Sequence, residues 1–461
     1  MRVQCGLRYL VLPLLAGLAG CAGTPLPGLK PDTPAQWRHA TAGAGTAAPT
    51  DLQGWWRSFG DPALDALVDR ALASNLDVGQ AVERLRAARA LQGKAGARYL
   101  PQLRAKTEDI PDPDASASFF VAGFDALWEL DMFGRGAATR RAAQGELDAA
   151  ASDLRAARVS LVAEVTRDWL ELRAAQQQAQ WLERIRDARA RQLAMLRTRQ
   201  GLRLANADDV ARAQAALAQA EAALLEPRDA ADASAQQLAT LLGQPEPDPA
   251  WLQPAPQPSL GGWLLTSAPA DLLRSRPEIQ RAQADVLRAA GAAGLARAEQ
   301  YPDIALGGSL VWSTSLQTHR PTDSHWIASL GPVIDIPLFD WGMRKAQADA
   351  KDHELKASVL AYRQAVLQGV AEVETALGRL DRQAENERRC ADAASALAEA
   401  DRVVAQRAAL KLTGPMEQAE SAIASDQAAL ALVQARASHG LAFVALFKAL
   451  GGAPLPAADR G

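Results

Sequence analysis

"YPDIALGGSLVWSTSLQ" (301–317) is the stretch on which the fold turns. Residues 269–299 before it are rich in Ala, Leu and Arg and read as helix. Pro302 stops that helix, because the proline ring disfavours helical geometry in the residue before it. Beyond it the period becomes two. Leu306, Gly308, Leu310, Trp312, Thr314 and Leu316 share one face, opposite Ala305, Gly307, Ser309, Val311, Ser313, Ser315 and Gln317. Residues 326–338 alternate likewise, with Trp326, Ala328, Leu330, Ile334, Ile336 and Leu338 opposite Ser329, Gly331 and Asp335. Such patterning predicts half-buried strands. Each run is long enough for a membrane strand of about 9–11 residues.

The same plan occurs earlier in the chain. "RYLPQL" (98–103) matches "EQYPDI" (299–304), "WELDMFGRG" (128–136) matches "IDIPLFDWGMR" (334–344), and "LATLLGQ" (238–244) matches "LFKALGG" (446–452). Aligning Pro101 with Pro302, Phe133 with Phe339 and Gly243 with Gly451 gives offsets of 201, 206 and 208. Fixed-period self-similarity marks a repeat architecture. Each half reads helix, strand, strand, long helix, helix. Its turning points are Pro101 and Gly134 in the first half and Pro302 and Gly342 in the second.

The predicted division is a signal peptide over 1–20, a lipid anchor and extended tether over 21–60, a first repeat over 61–243, a Pro-rich linker over 244–264, a second repeat over 265–452 and a tail over 453–461. The first repeat holds a helix over 62–98 (Asp61 as its cap, Pro62 at its first position), a β-hairpin over 103–133 and a long helical hairpin over 137–242. The second holds a helix, a β-hairpin over 303–339 and a helical hairpin over 343–450. The outgoing helices, 137–200 and 343–408, are some sixty residues each, roughly 100 Å at 1.5 Å per residue. Leu154, Leu161, Val165, Leu172, Ala179, Leu182, Ile185, Leu193 and Leu196 keep coiled-coil spacing, as do Leu355, Tyr362, Val366, Val373, Leu377 and Leu380.

In the first β-hairpin, Phe120, Phe124, Trp128, Leu130 and Met132 oppose Asp125, Glu129 and Asp131. Its opening strand, Leu103 to Ile110, carries Arg104, Lys106 and Glu108 before the "PDPD" of 111–114, so an early stop is expected there, with either a minimal loop or a partly degenerate hairpin. A soluble sandwich is the ordinary reading of alternating strands, but four strands among some 300 helical residues make a poor one. They also cannot make a single-chain barrel, which needs about eight or more. Several copies must pool their hairpins if a barrel exists.

Composition narrows the function. The formal net charge of the 461 residues is −3 and no basic block suggests nucleic acid. No apolar run past the leader approaches 18 residues, so no transmembrane helix is expected. Five histidines show no metal spacing, and no nucleophile, phosphate-loop or metal motif occurs, so no cofactor and no enzymatic activity are expected. His319 and His325 read as loop residues, and Trp312 and Trp326 as an interfacial aromatic belt or core packing. The leader has Arg2, Arg8, the apolar stretch Tyr9 to Leu18, and then Ala19-Gly20-Cys21. Of three cysteines, Cys5 leaves with the signal, and Cys390 sits in a polar helical stretch.

Leu18-Ala19-Gly20-Cys21 resembles a bacterial lipobox, which implies acyl chains, palmitate among them, on Cys21. Several chains anchor far better than one, since each buried methylene contributes about 0.8 kcal/mol. An ordinary signal peptide with a chance cysteine is the alternative. Ala22 differs from the Asp that resembles an inner-membrane retention signal. The order and duplication of "WWRSFGDPALDALVDRALASNLDVGQAVERLRAARA" (55–90), "LPQL" (100–103), "WELDMFGR" (128–135), "DLLRSRPEIQRAQADV" (271–286), "YPDIALGGSL" (301–310) and "GPVIDIPLFDWGMRKAQ" (331–347) resemble the TolC-like outer-membrane efflux factor family, lipoprotein branch.

The resemblance implies a mainly α fold with a small β part, as a homotrimeric channel. A twelve-stranded transmembrane β-barrel, four strands per chain, would stand on a barrel of long coiled-coil helices. It implies the outer-membrane exit duct of a tripartite efflux system, lipid-anchored and extending into the periplasm. Its implied partners are outer-membrane lipid, a periplasmic adaptor (membrane fusion) protein and a proton-driven inner-membrane pump of drugs or other small molecules. Alternatives are the channel of a type I protein secretion system, or a lipid-anchored periplasmic coiled-coil adaptor or scaffold. Such an adaptor would carry a lipoyl-like module in place of paired β-hairpins. The family's gate lies at the tips of the helical hairpins, here 200–214 and 407–422. Asp209 falls where the family's first-tip Asp falls, and Lys411 near a basic residue that ties the tips. Gln418 stands where Asp is common, with Glu417 and Glu420 nearby. The expectation is that Asp208 or Asp209 pairs with Arg407 or Lys411 across the tips; solvated helix-end charges are the competing reading.

Overall fold

The computed structural model describes residues 27–29, 33–39, 50–110, 119–263, 276–315 and 323–455. Cys21 and the leader, Leu316, Gln317 and His319 lie outside the described residues. The chain forms two compact units. One draws on Glu83–Ser152 and Gln280–Ala365, the other on Asp32–Val82, Asp153–Ile279 and Val366–Gly461.

Eight helices and four strands are described. They are α1 (Pro62–Ser74), α2 (Leu76–Gln92), β1 (Gln102–Ile110), β2 (Phe119–Glu129), α3 (Arg135–Gly201), α4 (Ala207–Ala222), α5 (Leu225–Leu241), α6 (Pro277–Ala298), β3 (Asp303–Ser315), β4 (Ser324–Asp335), α7 (Met343–Ala409) and α8 (Pro415–Ala449). Each long helix, α3 and α7, is 67 residues. The coiled-coil positions named above are buried, except Ala179, Leu182 and Leu196, which are half-buried.

Two expected helices are broken. The helix expected over 62–98 stops at Asn75, whose backbone turns extended and whose Oδ1 accepts from Val78 N at 3.0 Å to start α2. The Asn75 Nδ2 donates to Leu241 O at 2.9 Å, so this break is held against the end of α5. The return helix of the hairpin expected over 137–242 divides at Ala223–Leu224 into α4 and α5, with Pro227 in the first turn of α5.

In the first unit the strands form one antiparallel sheet in the order β1-β2-β3-β4. β1 pairs along its whole length, from Gln102↔Leu127 to Ile110↔Phe119, so the first hairpin is complete rather than degenerate. The sheet register also corrects the alignment of Phe133 with Phe339. Gln102 pairs Leu127 and Asp303 pairs Asp335. With Gln102 on Asp303, 201 apart, Leu127 falls on Asp335, 208 apart, and Phe133 then falls on Trp341. Gly134 and Gly342 share that offset of 208 and both turn left-handed, at φ 77° and 80°. Only glycine adopts this without a Cβ clash, which is why the strand-to-helix corner falls there.

The corner after β2 is clamped within the chain. Phe133 stacks on Tyr301 at 5.1 Å and 9°. Arg135 donates to the carbonyls of Ala298 and Tyr301 and pairs with Asp303. Gly145 and Gly291 let α3 and α6 touch backbone to backbone: a Cβ on Gly291 would lie 2.5 Å from Ala142 N.

The second unit is centred on Trp55 and Trp56, both essentially unexposed. Trp55 stacks on Phe447 at 5.5 Å and donates to Gly452 O at 3.0 Å. Asp61 caps α1 and also accepts from Trp169 Nε1 at 2.7 Å. α8 corrects the expectation that no apolar run approaches membrane length: an 18-residue window in it has mean hydropathy 1.4. Phe443, Val444, Leu446 and Phe447 of that helix are buried in the aromatic core, so its C-terminal part packs as core.

Candidate functional site

The sheet and the helical tips carry the features that bear on function. Residues paired across an antiparallel sheet share a face, so the register assigns every side chain. One face runs through Leu103, Phe124, Trp128, Leu306, Leu310, Trp312, Trp326, Leu330 and Ile334. Leu330 is 79% exposed, Leu103 72% and Trp326 67%. No charged side chain interrupts this face from Leu103 to Thr107, from Phe120 to Trp128, or along β3 and β4. A water-facing surface of that size and composition is unfavourable, whereas hydrocarbon accepts it. Trp312 and Trp326 sit directly opposite one another on it.

The other face carries Arg104, Lys106, Glu108, Asp125, Glu129, Asp303, His325 and Asp335. Lys106 pairs with Glu108, and Ser309 and Ser329 share a hydrogen bond at 2.7 Å. Apolar outside and charged inside is the pattern of a strand between lipid and a water-filled lumen. The four strands are 9, 11, 13 and 12 residues, enough to cross a bilayer obliquely. Among the described residues β1 and β4 each have one edge without a neighbouring strand.

The two tips are built alike. α3 and α7 each end in a turn whose apex residue, Arg203 or Lys411, is left-handed at φ 60°. Arg203 N donates to Gln200 O and Leu204 N to Arg199 O, at 2.9 and 2.8 Å. Lys411 N donates to Ala408 O and Leu412 N to Arg407 O, both at 2.9 Å. This is the Schellman pattern with a basic residue where glycine is usual. The flanking Leu202, Leu204, Leu410 and Leu412 are exposed.

The structure does not bring the predicted gate pairs together within one chain. Asp208 and Asp209 both pair with Arg212, at 2.6 and 3.1 Å, on their own helix. Asp209 also closes a capping box by accepting from Asn206 N at 3.2 Å. That backbone bond, helped by Arg212, holds the Asp209 carboxyl below its ordinary range. Glu417 occupies the equivalent third position of α8, and Glu417, Gln418 and Glu420 are exposed. Among the described residues no ion pair joins Arg407 or Lys411 to either aspartate. No cluster of metal-ligating side chains occurs among the described residues.

Sequence reasoning missed the ionic contacts between helices that carry the tips. Arg184 of α3 pairs with Asp426 of α8 at 2.9 Å, beside the packed Ile185, Ala188 and Ile423. Burial pushes the Asp426 carboxyl up, against the pull of Arg184. Glu387 of α7 accepts from His439 Nδ1 at 2.7 Å and Arg436 at 3.2 Å on α8, and these bonds hold it below its ordinary range.

Comparison with known proteins agrees with this geometry. Residues 67–244 and 268–452 match the outer membrane efflux protein family. The pyoverdine export outer membrane protein OpmQ of Pseudomonas aeruginosa is 32% identical, covering 94% of both chains. The outer-membrane channel OprN superposes with a TM-score of 0.82 at 26% identity, over 95% of this chain and 100% of that one. The open-state channel MtrE of Neisseria gonorrhoeae does so with 0.78 at 25% identity, over 94% and 98%. A mainly helical chain that duplicates one strand-and-helix plan, with a sheet made for lipid on one face and water on the other, therefore belongs to the outer membrane efflux protein family and is the outer-membrane duct of an efflux system.

Proposed function

We propose that three copies of this chain close a twelve-stranded barrel in the outer membrane, anchored by acyl chains on Cys21, and passively conduct small molecules delivered by an inner-membrane pump through a periplasmic adaptor. The chain performs no bond chemistry in this reading. The observation that carries it is the four-stranded sheet with one face apolar and uncharged over Leu103–Thr107, Phe120–Trp128, β3 and β4, one charged face and two open edges. Four strands cannot enclose a lumen, whereas three sets of four fall within the range of transmembrane barrels. A small-molecule cargo is in keeping with the pyoverdine exported by the Pseudomonas aeruginosa relative.

The gate is assigned to the tips. With Asp208 and Asp209 held by Arg212 in their own chain, Arg407 and Lys411 are left to meet acidic residues of a neighbouring chain. Each exposed pair contributes about 0–1 kcal/mol, and three symmetric copies bias a weakly balanced gate.

Single-channel recording in planar bilayers tests the reading together with an unboiled denaturing gel. The purified chain is expected to run as a detergent-resistant trimer and to conduct, and Lys411→Ala is expected to change the conductance. A stable monomer that conducts would overturn the trimer, and unchanged conductance in Lys411→Ala would remove the gate assignment. Loss of radiolabelled palmitate in Cys21→Ser checks the anchor.

A further inference from the structure

The chain contains a template for its own contact with the next copy. Inside one chain the two halves meet along β2 and β3, from Phe119↔Ser315 to Glu129↔Ala305. Because the halves repeat, the contact between copies joins the β4 edge of one to the β1 edge of its neighbour. Moving β2 onto β4 by 208 residues and β3 onto β1 by 201 turns the pair Leu127↔Gly307 into Asp335↔Lys106, and Asp125↔Ser309 into Val333↔Glu108. We propose that the barrel closes in this register, with Asp335 of each copy fastened to Lys106 of the next on the lumenal face. The proposal rests on the trimeric reading above and adds which strand register and which charges seal it.

Three further observations agree. First, the transposed pairs preserve the faces: Asp335 and Lys106 both lie on the charged side of the sheet. A register differing by one residue would put every apolar side chain of the neighbour into the lumen. Second, Asp335 is exposed and has no ion pair among the described residues, while the facing edge carries Arg104 and Lys106, the latter already paired with Glu108 of its own strand. Charged side chains are how exposed edges resist indiscriminate pairing, and complementary ones select a single partner.

Third, the aromatic corner is stacked across the two halves in one place, whereas its counterpart Trp341 meets Phe339 of its own segment edge-on at 4.9 Å. Phe133 stacks on Tyr301. The same offsets carry Phe133 to Trp341 and Tyr301 to Leu100. Trp341 is 90% exposed and Leu100 60%, and Trp341 holds a left-handed φ of 58°. An indole left largely in water on a strained backbone is a surface that a neighbouring copy would cover.

Cysteine pairs in the full-length, membrane-inserted protein carrying Cys390→Ser test the register. Residues directly opposite across a sheet stand close enough for a disulfide, and those displaced by two do not. Asp335→Cys with Lys106→Cys is expected to give covalently linked trimers under mild oxidation, while Asp335→Cys with Arg104→Cys or with Glu108→Cys is not. Faster linking by either of the last two overturns the register while the trimer stands. No linking by any pair in a protein that still runs as a detergent-resistant trimer overturns the β4–β1 seam. A protein that is monomeric without any cysteine change overturns the trimeric reading itself. A charge exchange tests the fastening: Asp335→Lys should lower the temperature at which the trimer dissociates in detergent, and Asp335→Lys with Lys106→Asp should restore it. No restoration in a correctly linked register overturns the ion pair.

Discussion

Gly291→Ala and Gly79→Ala are the same chemical change in two helix interiors, and they are expected to act with opposite sign. Alanine is favoured over glycine in an exposed helix by about 1 kcal/mol. At Gly79 of α2 nothing lies within 4 Å of the place a Cβ would take, so the variant gains roughly that amount. At Gly291 of α6 the new Cβ would stand 2.5 Å from Ala142 N and 2.7 Å from Ala142 Cα and Cβ. None of these atoms can rotate aside, so α3 and α6 must separate. Overpacking of that kind costs about 1–3 kcal/mol, and three contacts to fixed atoms place it near the upper end. Against the helical gain of about 1, the net loss is about 2 kcal/mol, which leaves the two variants about 3 kcal/mol apart. Gly145 on the facing helix, whose Cβ would meet Arg288 N at 2.5 Å, should follow Gly291. Heat unfolding in detergent followed by circular dichroism reads the difference. Equal stability of Gly291→Ala and Gly79→Ala would refute a backbone-to-backbone crossing of α3 and α6.

The remaining predictions concern the second unit. Burial pushes the Asp168 carboxyl up to about 6, outweighing the hydrogen bond from Arg167. The folded protein thus keeps this proton where the unfolded chain has released it, and stability falls as pH rises from about 4 to about 6. Asp168→Asn should flatten that slope and stabilise the protein at pH 7 by on the order of 2 kcal/mol; an unaltered pH profile of the melting temperature counts against it. Trp55→Ala should cost about 3–5 kcal/mol by opening the aromatic core. Trp55→Phe should lose less, since it keeps the stack on Phe447 and gives up the bond to Gly452 O; equal losses would show that the stack contributes nothing. At the left-handed tip residues the helix preference reverses: Lys411→Gly and Arg203→Gly should exceed the corresponding alanine variants by about 1 kcal/mol in thermal stability. Alanine variants melting at or above the glycine variants would contradict the Schellman geometry.

The strands, the long helices and the repeat were legible in the sequence because local physics sets them. A side-chain period of two or seven declares which face needs covering, and Pro101, Pro302, Gly134 and Gly342 mark where one geometry must end and another begin. The lumenal charges and the apolar face followed from alternation alone. The two breaks at Asn75 and Ala223–Leu224 were missed although each carries a local signal, Asn75 as a helix cap and Pro227 as a first-turn proline; what the sequence does not show is that the kink at Asn75 is held by the distant Leu241 carbonyl. The tip aspartates were located in the sequence, yet their partner was not, because Arg212 competes through a local bond three and four residues away that spacing across the tips does not reveal.

What the sequence determined by itself is the strands and the long helices, the face each presents, and the arithmetic that a single chain owns too few strands to enclose a lumen. The tertiary structure alone decided the offset of 208 between descending strands, the role of Trp55 as a core anchor, and which glycines are points of contact. The reason is that periodicity is a property of neighbours along the chain, whereas register and close approach are set by atoms hundreds of residues apart that meet only after folding.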